Sequence, residues 1–170
     1  MQCDICGKKK ATVHLTEIID GQMTEMHLCD DCPLLKNMEM EKFYQKESFK
    51  TPEIKGDIKS GEITIVGRCM PEDGSLFFAP FTEWLTKYLF YAPETTKVQI
   101  FLDYFNTTAS KPLLSILRYF KDMLHEKELE LYWFHEEDDL EMRDCGKDFQ
   151  NILGDFIKIV SVPDKDSLQF

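Results

Sequence analysis

The stretch Lys97–Leu117, KVQIFLDYFNTTASKPLLSIL, narrows the choice of fold more than any other part of the chain. Val98, Ile100 and Leu102 alternate with Gln99, Phe101 and Asp103, a β-branched and aromatic run that reads as the interior strand of a sheet. The pattern stops at Asn106. Thr107, Thr108, Ala109, Ser110 and Lys111 lead to Pro112, a residue suited to a first helical turn, and Leu113, Leu114, Ile116, Leu117, Phe120 and Leu124 then recur at helical spacing. A helix is therefore expected from near Pro112, with Ser110 as its cap on spacing alone. That reading leaves Thr107 and Thr108 without a structural task. Unpaired helix N–H groups and the positive end of the dipole point at this turn, so a phosphate added to one of its hydroxyls would be felt there.

The flanking segments supply the rest of a sheet. Ile54–Val66 reads as two strands around Gly56–Gly61, the second, Glu62–Val66, being the clearer. A helix is expected from about Leu76 to Tyr91, with Phe77, Phe81, Trp84, Leu85, Tyr88 and Leu89 as an apolar stripe that reads as core, not as cofactor contacts. After the central unit come a short strand, Leu129–Phe134, a helix from about Leu140 to Leu153 and a closing strand, Ile157–Val162. The order β-β-α-β-α-β-α-β predicts an α/β fold with a mixed, largely parallel sheet and right-handed crossovers.

Ahead of this unit, Cys3-Asp-Ile-Cys6 and Cys29-Asp-Asp-Cys32 bracket twenty-two residues that read as a hairpin, turning at Asp20-Gly21. The hairpin brings four thiols together. Four cysteines suit one tetrahedral Zn²⁺ and leave no open position for water, so the site reads as structural, a small zinc-ribbon hairpin. So short a segment cannot bury enough apolar surface to fold alone, and the metal would supply most of its stability. His14 and His27 are alternative ligands, read as hairpin side chains. The expected organisation is a zinc hairpin over residues 1–34, a linker over 35–47 and a regulatory domain over 48–170.

A net charge of −11 without a basic stripe argues against nucleic acid as a partner, and no apolar run is long enough for a membrane span. The N-terminus lacks the apolar core of a signal peptide, which places the chain in the cytoplasm. No glycine-rich phosphate loop, Ser-His-Asp arrangement or HExxH motif is present. Glu136-Glu137-Asp138-Asp139 could hold Mg²⁺ in a carboxylate-metal enzyme, but it reads better as the solvated first turn of a helix. His135 has no nucleophile near it in sequence. Cys69 and Cys145 lack the basic surroundings of a reactive thiol. A non-enzyme is expected.

Two families are recognisable. MQCDICGKKKATVHLTEIIDGQMTEMHLCDDC, about residues 1–33, resembles the N-terminal zinc module of McsA-type activators of the bacterial protein arginine kinase. The blocks TPEIKGDIKSGEITIVGRCMPED, FFAPFTEWLTKYL, YFNTTASKPLLSIL and LYWFHEEDDLEMRDCGKDF, within about residues 48–163, resemble in that order the SiaC family of bacterial regulatory phosphoproteins. This second resemblance implies a STAS-like architecture and a switch rather than an enzyme. In that family a threonine following an asparagine at the end of the central strand is phosphorylated by a serine/threonine kinase of SiaB type. A metal-dependent phosphatase of SiaA type clears it, and the unphosphorylated form binds a diguanylate cyclase of SiaD type, linked to cyclic di-GMP and biofilm formation. The matching position is Thr107, with Thr108 and Ser110 as alternates, and the implied partner-binding residues are Asn106, Thr107, Thr108 and Lys111. The first resemblance implies a different role, an adaptor or activator of a protein kinase or protease system.

Overall fold

A computed structural model describes residues 1–19, 22–32, 42–123 and 127–170. The expected Asp20-Gly21 turn, Leu124 of the helical stripe and most of the expected linker lie outside the described residues. The chain divides into two units, Met1–Glu41 and Lys42–Phe170.

In the first unit, β1 (Val13–Ile19) pairs antiparallel with β2 (Gln22–Leu28), in a register running from Val13 opposite Leu28 to Ile19 opposite Gln22. Among the described residues, Cys3, Leu28, Cys29 and Cys32 are buried there, with Cys6, Val13 and Met26 packed against them. Thiols make up much of this core, which is what so short a segment can offer.

The second unit holds one six-stranded sheet in the order β3-β4-β5-β6-β7-β8. β3 (Lys42–Gln45), β4 (Glu53–Asp57) and β5 (Glu62–Cys69) pair antiparallel, while β6 (Thr95–Phe105), β7 (Glu128–Glu136) and β8 (Ile157–Val162) extend the sheet from β5 in parallel. Residues 42–45, expected within the linker, thus form the edge strand. Phe43 explains why: its ring lies 5.4 Å from Phe81 and 5.8 Å from Trp84, so a segment with little periodicity of its own is held by the core beside it.

The helices α1 (Gly74–Tyr91), α2 (Thr107–Met123) and α3 (Leu140–Leu153) link successive parallel strands. Because the strand order never reverses, right-handed crossovers put all three on one face. Ile63, Ile65, Val98, Ile100, Leu102, Leu131 and Trp133 meet Phe78, Phe81, Trp84, Leu85, Leu113, Leu117 and Phe120 in the core, all at most 2% exposed. Gly56 in β4 is required there, since a β-carbon would run into the Trp84 ring. Among the described residues no helix is long and apolar enough to cross a membrane.

Candidate functional site

In an open sheet with parallel strands, the strand ends and helix starts gather at one edge. All three helix starts of this sheet lie there. Asp73 caps α1, its Oδ1 accepting from the Leu76 N–H at 3.0 Å, and Asp139 caps α3, its Oδ1 accepting from the Met142 N–H at 3.0 Å. Between them α2 begins at Thr107, five residues before Pro112. The expected start near Pro112 is therefore corrected. A proline is tolerated this near a helix start, and the Thr108 carbonyl, whose usual N–H donor Pro112 lacks, lies so close to Gly74 of α1 that a β-carbon on Gly74 would overlap it.

The cap of α2 is Asn106, not Ser110. Asn106 Oδ1 accepts from the Ala109 N–H at 3.2 Å and from the Thr108 hydroxyl at 2.9 Å, and its Nδ2 donates to the Pro71 carbonyl at 3.0 Å. Thr108 Oγ1 also lies 2.8 Å from that carbonyl, and Ser110 Oγ donates back to the Asn106 carbonyl at 3.2 Å. Asn106 N–H is bonded to the Cys69 carbonyl at 3.0 Å, which ties the strand ends of β5 and β6 together. Spacing alone gives neither the capping role of Asn106, named above only as an implied partner-binding residue, nor the part of Pro71. The available signal was Asn106 itself, a preferred cap ahead of Thr-Thr-Ala.

Of the three hydroxyls, that of Thr107 is the one left over: it is exposed and has no partner among the described residues. Lys111, four residues on and on the same helix face, is likewise exposed and without a carboxylate partner among the described residues. The first turn of α2 contains no acidic residue. Pro71, held by Asn106 and Thr108, also lines an open groove of about 430 Å³ with Lys50, Thr51, Met70, Leu76 and Phe77.

The other sequence candidates at this edge have structural roles. Asp139 is the cap of α3, and Glu136 Oε1 accepts from the Lys165 N–H at 3.2 Å. His135 is buried, its Nδ1 2.7 Å from the Glu136 carbonyl. Burial pushes the Cys69 thiol up to about 12, and burial first, then acidic neighbours led by Glu141, raises Cys145, so neither is a ready nucleophile.

In the first unit, the Sγ atoms of Cys3, Cys6 and Cys29 lie within 4.8 Å of one another and could hold a metal ion. Cys32 Sγ is 3.7 Å from that of Cys3, and Cys6 Sγ is 3.7 Å from that of Cys29. Backbone N–H groups, that of Cys6 foremost, draw the Cys3 thiol well below its usual range, while burial pushes Cys29 above it. His14 and His27 meet edge to face at 4.8 Å instead of joining the thiols, and His27 Nδ1 is 3.3 Å from Asp4 Oδ2.

A sequence model of a family described as SiaC family regulatory phosphoprotein matches residues 44–162. The fold is similar to that of SiaC of Pseudomonas aeruginosa, at a TM-score of 0.64 and 20% identity, over 71% of this chain and 98% of that one. It is also similar to a chain in the crystal structure of the diguanylate cyclase SiaD in complex with its activator SiaC from the same organism. That match has a TM-score of 0.65 and 19% identity, over 71% of this chain and 99% of that one. No curated protein sequence matches the chain.

Proposed function

Because this chain belongs to the SiaC family of regulatory phosphoproteins, we propose that it is a threonine-phosphorylation switch whose neutral form binds a signalling enzyme. The enzyme is a diguanylate cyclase, as in the complex to which the fold is similar, and the work is done in the cytoplasm. A kinase of SiaB type and a metal-dependent phosphatase of SiaA type would set the state. The observation that carries the assignment to Thr107 is its hydroxyl, exposed and unbonded, beside two others committed to backbone carbonyls.

The switch follows from charge. Phosphorylation adds about −1.5 to −2 at neutral pH. At Thr107 that charge meets the N-terminus of α2 and Lys111, with no acid in the first turn to repel it. The phosphate breaks no hydrogen bond of the native chain, so the fold persists. A partner packed over Asn106, Thr107, Thr108 and Lys111 and into the groove beside Pro71 would instead have to desolvate a dianion, which costs several kcal/mol, roughly, unless a cation meets it.

The hairpin is proposed to carry one structural Zn²⁺ on Cys3, Cys6, Cys29 and Cys32. Thiolates on 2.3 Å arms of a tetrahedron sit about 3.8 Å apart. The Cys3–Cys32 and Cys6–Cys29 sulfur separations, 3.7 Å each, suit those edges. The ion would tie the hairpin's two ends and leave no site for chemistry. The half-exposed Ile5, held between Cys3 and Cys6, favours a contact role, and the McsA-like reading of the module as an adaptor for a kinase or protease system rests there. Intact-mass, peptide and native mass spectrometry on protein from its own cells tests both parts. One phosphate on Thr107 and one zinc per chain are expected; phosphate confined to Thr108 or Ser110, or a metal-free chain, would refute the respective part.

A further inference from the structure

Three helices cover one face of the sheet, and the opposite face is closed by residues that follow β8. Val66, Phe101, Phe134 and Val162 form a buried cluster there, with Leu168 and Phe170 packed onto it. The register sets Val66, Phe101, Phe134 and Val160 side by side, an apolar row across four strands. The Phe170 ring lies 6.4 Å from that of Phe101 and 6.2 Å from that of Phe134. Leu168 is extended, with φ −102° and ψ 141°, so Leu168 and Phe170 are directed to one side while Gln169 is exposed.

The segment is held lightly elsewhere. Asp164 Oδ1 caps its single 3₁₀ turn, Lys165–Ser167, by accepting from Ser167 at 2.8 Å, and Lys165 N–H reaches Glu136. It lies beyond residues 44–162, the part matched to the family. Phe170 lines a cavity of about 320 Å³ with Tyr44, Lys55 and Thr64. The Thr64 hydroxyl there has no partner among the described residues, although Thr64 is only 7% exposed.

We propose that this face is a peptide-docking groove for an extended segment with two apolar side chains at i and i+2, and that residues 163–170 are the chain's own occupant. The occupant defines the chemistry of what the groove accepts: an aliphatic anchor, a spacer, an aromatic anchor. A polar group continuing past the second anchor would meet the unused Thr64 hydroxyl. An incoming segment of that pattern competes with the chain's own, which makes the contact an internal block on the groove.

The test uses a chain shortened after Val162, titrated calorimetrically with a synthetic peptide of residues 163–170. Saturable one-to-one binding is expected, with Leu168→Ala and Phe170→Ala peptides each weaker by about tenfold or more, as loss of a buried apolar side chain implies. A folded, shortened chain that does not bind the peptide overturns the proposal. Should shortening prevent folding, the full chain carrying Leu168→Ser and Phe170→Ser replaces it. That variant is expected to keep its helix content, bind a hydrophobic dye and take up the wild-type peptide; unchanged dye binding with no peptide uptake overturns the proposal.

Discussion

The starts of α2 and α3 stand at the same edge of the sheet and meet the same need, an acceptor for an unpaired helix N–H. At α3 the acceptor is the carboxylate of Asp139, and Glu141 adds a second acid in the first turn. At α2 it is the amide of Asn106. The difference is forced by one neighbour. Asn106 must accept from Ala109 and donate to the Pro71 carbonyl at once, and a carboxylate can do only the first. A packing requirement thereby leaves one helix start free of negative charge, with an unbonded threonine at its first position. What looks like a functional choice of residue follows from where a carbonyl points.

The comparison can be broken by substitution, the largest effects first. Gly74→Ala drives a β-carbon into the Thr108 carbonyl, which as backbone cannot swing away, and should cost about 1–3 kcal/mol by urea denaturation. Next come paired exchanges at the two caps. Asn106→Asp sets oxygen against the Pro71 carbonyl and should lose about 1–2 kcal/mol, whereas Asp139→Asn keeps its cap bond and should change stability by less than about 1 kcal/mol. Equal losses would mean that the Pro71 contact does not distinguish the two starts. Thr108→Val should cost about 0.5–1.5 kcal/mol for its bonds to Pro71 and Asn106. Thr107→Val, which removes a hydroxyl that holds nothing, should stay within about 0.5 kcal/mol of the parent.

Much of this edge was legible before the fold was known, and the exceptions have causes. The stripe of Phe81, Trp84, Leu85 and Tyr88 announces its helix because it buries one regular face, and the runs from Glu62 and Ile157 announce strands because they are short, β-branched and bounded by turn residues. The start of α2 does not, because Pro112 imitates a helix start, while the acceptor that fixes the true start, the Pro71 carbonyl on Asn106, comes from another segment. Alternation sets Phe101 on the side of polar Gln99 and Asp103, yet it is 2% exposed, covered by Phe170 from sixty-nine positions away. Asp103 is itself an extra residue: Gly67 pairs with Leu102 but Arg68 with Tyr104, so the alternation slips and Phe105 turns inward to stack on Phe149 at 6.0 Å. Local periodicity carries what a strand buries against its own helices. It does not carry what distant segments lay on the other side.

In the proposed switch, charge on Thr107 decides partner binding while the fold stays intact. The most direct measurement is the affinity of a cognate diguanylate cyclase for the neutral chain and for the chain stoichiometrically phosphorylated on Thr107, with circular dichroism recorded on both. Matching spectra are expected, with binding weakened by about a hundredfold or more on phosphorylation, as several kcal/mol of desolvation requires. Equal affinity of the two forms would contradict it.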